Sequence, residues 1–245
     1  MSDLEKQIVE EIRDVRRRWP RYGCPRLTPE LRARGWRVNH KRIERICRVH
    51  GLKLLPVRRK RRYLGSAENG CVRLSAEHVN HVWAIDFVHD RTADGRQLKI
   101  LAVIDEYTRE CLALHAARSI KAKDVRNILR RLCAERGLPR HVRSDNGPEF
   151  VAHALRDWLT SWKSQSSFIE PGAPWQNGYV ESFNARLKDE LLDGELLPSL
   201  AEARWLLARY QHDYNHARRH SALGYETPAS YAASLSEGRK PHAAA

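Results

Sequence analysis

Apolar residues recur every three or four positions from Leu4 to Trp19. Ile8, Val9, Ile12, Val15 and Trp19 are in phase, and Arg13, Arg16, Arg17 and Arg18 fall mostly on other faces, which predicts an amphipathic helix that Pro20 ends. Thr28 offers an N-cap with Pro29 at the first helical position, so a second, short helix should run from there to Gly35. Asn39 caps a third, HKRIERICRVH, with Ile43, Ile46 and Cys47 inward and Gly51 closing the end. Three short helices with a glycine-containing turn before the last are the pattern of a helix-turn-helix. The outward residues His40, Lys41, Arg42 and Arg45 then sit on the helix that would enter a DNA major groove. A plain three-helix cap with a basic face is the competing reading.

From residue 81 the period shortens to that of strands. HVWAIDFVH, a turn at Thr92 to Gly95, LKILAVIDEYT and ECLALHAA predict an antiparallel meander. A helix from about Ala122 to Glu135, the short strand HVRSD, a helix around Phe150 to Trp162, the strand SSFIE and a helix from about Gln176 to Leu191 should come after it. Strands first and alternating helices and strands later make an α/β fold, a mixed sheet flanked by helices. A last helix with Leu200, Trp205, Leu206, Leu207 and Tyr210 is expected as packing or as a subunit contact, with its aromatic residues in the core.

Charge changes the picture of the first part. Of a net +14, residues 1 to 70 hold +12, from 20 Lys or Arg against 8 Asp or Glu. Cations clustered in this way bind nucleic acid by releasing its condensed counterions. The run Arg58, Arg59, Lys60, Arg61 and Arg62 sits in PVRRKRRYLGSAENG, a solvated linker able to lie along phosphates. We expect a helix-turn-helix domain over 1–55, a basic linker over 56–78, a catalytic core with a helical extension over 79–235 and a flexible tail over 236–245. Cys24, Cys47, Cys71, Cys111 and Cys133 form no CxxC pair, so reduced thiols are expected rather than a zinc knuckle or a disulfide framework. No apolar run approaches the roughly 20 residues of a membrane span, and MSDLEKQIVEE is unlike a signal peptide, which points to an intracellular protein without a membrane partner.

The candidate chemistry lies in carboxylates. Asp86 sits mid-strand in WAIDFV, where an ionised acid is costly unless a cation or metal compensates it. Asp145 follows a short apolar strand in VRSDNGPEF, where Asn146, Gly147 and Pro148 stop the strand. Glu181 falls about one turn into the helix after PGAPWQNG, where Asn177 can cap, and shares a helical face with Asn184 and Lys188. The plainer readings are a hydrogen-bonded structural acid at 86, a turn former at 145 and a solvated helix face at 181.

Thirty-five residues separate Asp145 from Glu181. With that spacing, WAIDF, VIDEYTR, SDNGPEF, PGAPWQNGYVESFNARLKDE and YNHARRHSALGYETPASY resemble, in order, the DDE transposases and retroviral integrases. The resemblance is strongest to bacterial transposases of the insertion-sequence-three family, second reading frame product. It implies a ribonuclease H-like fold, with Asp86, Asp145 and Glu181 as catalytic and metal-binding acids and Lys188 and Asn184 toward DNA. It also implies two Mg2+ or Mn2+ ions per site, Asp86 bridging both. The implied reaction is 3'-end cleavage and strand transfer during transposition, DNA integration and recombination by a metal-dependent polynucleotidyl transferase. Its partners would be the element's inverted repeats and target DNA, a homo-oligomer on that DNA, and an upstream-frame protein, in the cytoplasm at the nucleoid. Relatives are commonly longer fusions, so this chain is expected as a partial product. Where many relatives carry threonine, Val88 stands here, and His78 and His81 have no CxxC to complete an integrase zinc module. Asp105 and Glu106 are expected to be structural, Arg109 to pair with Asp105, and Asp90 and Glu149 to lie around the site. A catalytically silent DNA-binding regulator and a ribonuclease H are the alternatives.

Overall fold

The computed structural model describes residues 3–54, 74–144, 165–168, 177–236 and 238. They divide into two units, one of the N-terminal helices with residues 219–225 and one of residues 74–218 and 226 onward.

In the first unit, α1 (Asp3–Arg18), α2 (Cys24–Ala33) and α3 (His40–Val49) turn their apolar stripes inward. Ile8, Ile12, Leu27, Leu31, Ile43, Ile46 and Cys47 are fully buried. Acids in the first turn of α1 and arginines in its last complement the helix dipole. The second helix begins five residues earlier than the Thr28 cap predicts. Gly23 is its N-cap and Pro25 falls in the first turn, where a missing N–H costs nothing. Thr28 instead turns its hydroxyl onto the Cys24 carbonyl at 2.9 Å. The third helix starts as expected, with Asn39 Oδ1 accepting the Arg42 N–H at 2.8 Å. Gly51, at φ +65°, closes it in the left-handed region that glycine tolerates. Residues 219–225 join this unit through Arg219, whose backbone N–H donates to the Tyr22 hydroxyl at 2.7 Å and whose guanidinium donates to Glu30 at 2.8 Å.

The second unit is built on a five-stranded sheet of order β3-β2-β1-β4-β5. The strands are β1 (Val82–Arg91), β2 (Gln97–Asp105), β3 (Cys111–Ala117), β4 (His141–Ser144) and β5 (Gln165–Phe168). The first three form the predicted antiparallel meander, while β4 pairs parallel to β1, and β5 parallel to β4. Trp83, Ile85, Leu101 and Val103 face α4 (Ala122–Arg136) through Val125, Leu129 and Leu132. On the opposite face Ala84, Val88, Ala102 and Ile104 meet Val180, Phe183 and Leu187 of α5 (Gly178–Leu187) and Leu207, Tyr210 and Tyr214 of α6 (Leu200–His216). A last helix, α7 (Pro228–Ser236), completes the unit. The expected helix around 150–162 lies outside the described residues.

Two further expectations need correction. The helix predicted over 176–191 is not uniform, because α5 passes at Lys188 into a π-helical turn, Lys188–Leu192. Trp205 is 60% exposed rather than core, although Tyr210 and Tyr214 are buried as expected, because Trp205 lies on the side of α6 away from the sheet. Cys24, Cys47, Cys111 and Cys133 are free thiols, and no helix among the described residues is long and apolar enough to cross a membrane.

His81 and His141 are buried edge to face at 5.4 Å, and His81 Nδ1 accepts the Glu77 N–H at 3.0 Å. Burial, then the neighbouring imidazole, holds each below the ordinary histidine range. The folded chain thus binds fewer protons than the unfolded one, so this stability is present above about pH 6.5 and lost as pH falls below it. Thermal midpoints followed by circular dichroism should drop between pH 7 and 5, and His141→Gln should make that drop shallower. In the first unit, Asn39→Ala should cost about 1 kcal/mol in denaturant titrations.

Candidate active site

Asp86 lies half-buried in the middle strand. One of its oxygens accepts the Phe87 N–H at 2.8 Å, and the other accepts Asn184 Nδ2 at 2.8 Å across from α5. A second amide makes a parallel attachment, Asn177 Nδ2 donating to the Ile85 carbonyl at 3.4 Å. Asn177 stands at the N-cap position of α5, as expected, but its side chain makes no capping bond and reaches the strand instead. The two asparagines stand seven residues apart, so one face of α5 is tied to adjacent residues of β1. Glu181 belongs to that face, four residues after Asn177 and three before Asn184.

Asn184, expected toward DNA, is only 8% exposed and serves Asp86. Lys188, one turn on, is exposed. His40, Lys41 and Arg45 are exposed on α3 and Arg42 is half-buried. Arg58, Arg59, Lys60, Arg61, Arg62, Asp145 and Glu149 lie outside the described residues. The strand leading to residue 145 is β4, which places Arg143 opposite Ala84 of β1 and is described as far as Ser144.

The neighbouring acids are committed to structure. Asp105 is buried and accepts backbone N–H groups from Asn80 at 2.8 Å, Tyr107 at 2.7 Å and Thr108 at 3.0 Å. Burial raises its carboxyl above the ordinary range, and the three N–H groups oppose that shift. The expected Arg109 partner is absent, because the Arg109 guanidinium stacks on the Tyr179 ring at 3.6 Å instead. Glu106 accepts two bonds from the Arg143 guanidinium, at 2.6 and 2.7 Å, with both side chains buried. Arg143 also donates to the Leu74 carbonyl at 2.7 Å. A cation inside the short strand VRS is the signal for this pair, one that a search for strands by apolar pattern passes over. Asp90 accepts the next backbone N–H, at 2.8 Å. His78 and His81 stack at 4.6 Å, as packing histidines.

Asp86 and Glu181 offer hard oxygen donors, the kind Mg2+ and Mn2+ take. Among the described residues the buried Oδ1 atoms of Asn177 and Asn184 meet no hydrogen-bond donor, so this side of α5 has acceptors to spare. By donor chemistry these residues fit a hard divalent ion. Among the described residues no group of three or more His, Cys, Asp or Glu is placed to hold one.

Comparison with known proteins agrees with this architecture. Family models for an HTH-like domain match residues 3–61, and two for an integrase core domain match residues 76–174 and 163–228. Solved structures with the same fold include the magnesium-bound catalytic core of HTLV-2 integrase (TM-score 0.50, 18% identity, 62% of this chain and 95% of that one). The simian T-cell lymphotropic virus intasome is another (TM-score 0.58, 18% identity, 92% and 76%). The fold is thus that of a retroviral-type integrase core.

Among curated proteins, the chain is 38% identical to an uncharacterized insertion element IS407 protein of Burkholderia multivorans, covering 94% of this chain and 80% of that one. It is 38% identical to an uncharacterized insertion element IS476 protein of Xanthomonas euvesicatoria, of which it spans 64%. To the transposase InsF for insertion sequence IS3A of Escherichia coli it is 31% identical, over 86% and 76% of the two chains. The chain belongs to this family of integrase-core insertion-sequence transposases.

Asn184→Asp would set a second carboxylate against Asp86. Two such acids cannot both ionise at hydrogen-bonding distance, so one pKa rises and stability is lost as pH climbs through it. Urea titrations should show little change near pH 4 and a deficit at pH 7 of roughly 1.4 kcal/mol per unit of that rise. An equal deficit at both values would mean that the amide does not face Asp86.

Proposed function

We propose that this chain is a DDE transposase, cleaving 3' ends of its element and joining them to target DNA. The observation that supports this best is the pair of amide bonds carrying the Glu181 face of α5 against the strand segment Ile85–Asp86. By this reading Asp86, Asp145 and Glu181 hold two Mg2+ or Mn2+ ions. When bound, such ions activate the attacking oxygen and stabilise the leaving alkoxide. The protein's own part is orientation: Asn184 fixes one Asp86 oxygen, and the Phe87 N–H fixes the other. Lys188 supplies a cation for the DNA backbone one turn beyond. The helices and linker of the first unit bind the element ends and target by charge and groove contact, and the working form is an oligomer on DNA. A separate upstream-frame protein and nucleoid association belong to the same reading.

Asp86→Asn, Asp145→Ala and Glu181→Gln should each lower Mn2+-supported strand transfer of an element-end oligonucleotide at least about a hundredfold while leaving duplex binding within a few-fold. Unchanged strand transfer in any one of them removes that residue from the catalytic set. Unchanged transfer in all three leaves a DNA-binding regulator.

A further inference from the structure

The segment YNHARRHSALGYETPASY carries part of the family resemblance but none of the proposed chemistry, and its most buried charge is Arg218. Arg218 donates from Nε to both Glu190 oxygens, at 3.2 and 2.9 Å, and from Nη2 at 2.6 Å. The Tyr210 hydroxyl adds a bond at 3.1 Å. The two charged side chains are 1% and 2% exposed. The Arg218 guanidinium also lies 5.8 Å from the centre of the Tyr214 ring, and Tyr214 stands edge-on to Phe183 of α5 at 4.8 Å.

Glu190 lies inside the π-helical turn, two residues after Lys188. The turn is closed by the Asp193 N–H reaching the Lys188 carbonyl five residues back, at 2.8 Å. A π-turn is rare and is frequently found at functional sites. Each residue it inserts changes the rotational phase between the helical segments on its two sides. The pair is a poor device for stability alone. Buried ion pairs can often be replaced by well-packed apolar side chains without loss, and Arg218 leaves a buried Nη1 with no hydrogen-bond acceptor. Burial works against the guanidinium's charge, and the bonds and charge of Glu190 more than restore it.

We propose that Arg218 and Glu190, with Tyr210, are positioning residues: they anchor the π-turn that follows Lys188 and so hold the end of α5 from which its ammonium meets DNA. This rests on the proposed contact of Lys188 with the DNA backbone. Arg218 itself touches no substrate.

The test is a binding cycle on the full chain with duplex carrying an element end. Lys188→Ala in the natural background should weaken binding several-fold and lower the salt slope by about 1. In Glu190→Met/Arg218→Met, whose thermal midpoint should return close to the natural value while Arg218→Met alone melts well below it, Lys188→Ala should cost less than twofold. The same factor in both backgrounds overturns the proposal. Should the double variant not fold, Arg218→Lys, which keeps the charge and loses the fork, is the background for the same comparison, judged by the same criterion. Absence of any Lys188→Ala effect in the natural chain would refute the proposal at its premise. Strand transfer by Glu181→Gln, run in parallel, reports on the catalytic reading separately, because the cycle measures binding alone.

Discussion

A carboxylate at the centre of a buried strand is the constraint around which the second unit is arranged. Asp86 is half-buried, with strands on both sides of it and a helix packed over it, and a charge partly withdrawn from water there costs free energy unless donors compensate it. Across from the strand the fold sets a neutral donor, the Asn184 amide, and along the strand a backbone N–H. Neutral donors orient a carboxylate without cancelling its charge. A lysine or arginine at position 184 would have given an inert ion pair of the kind seen at Glu106 and Arg143. The amide brings α5 to the strand in a fixed rotational setting.

The acids around the site show the opposite solution. Asp105 is consumed by three backbone N–H groups and Glu106 by a two-bond guanidinium. Both stand at the end of β2, in the motif VIDEYTR, and both frame the strands on either side of β1. Arg143 ties β4 to that frame and to Leu74, where the described part of the second unit begins. Chemically similar side chains on adjacent strands thus divide into acids whose bonds shape the sheet and an acid oriented by an amide.

Much of this was legible in the sequence because it depends on local rules. The 3.6-residue period of α1, the Asn39 cap, the alternation in β1 to β3 and the oddity of an acid in WAIDFV each follow from one short window. What failed also has a physical form. Thr28 and Pro29 make a good helix start in isolation, but Gly23 and Pro25 make an earlier one, and propensity cannot rank two adequate caps. Asn177 does stand at the N-cap, but its side chain makes no capping bond, its Nδ2 donating 92 residues away, at Ile85. Asn184 looked like a DNA contact because it shares a face with Lys188, yet a helix face can be buried at one end and exposed at the other. The π-turn at Lys188 has no signature in a single sequence, since the residue that grips it, Arg218, lies 28 residues beyond Glu190. Long-range polar pairing is what pattern reading could not supply.

The distribution of charge obeys the same constraint. A set of acids suited to hard cations repels phosphodiester, so a domain that carries them cannot also draw DNA by its own average charge. Residues 71 to 245 hold only +2 of the chain's +14. Affinity therefore has to come from cations placed elsewhere, and residues 1 to 70 supply them at +12. By the proposed function, a cation on the second unit serves DNA only where it does not neutralise the acids. Lys188 is on the same helix as Asn184 but exposed, at the point where the helix changes its pitch. From Asn184 to Lys188 the helix is regular, so its period fixes the angle between them. The π-turn that follows rephases the chain beyond Lys188 and is held by a buried charge pair, and that is reason enough for a fold to keep an arginine buried.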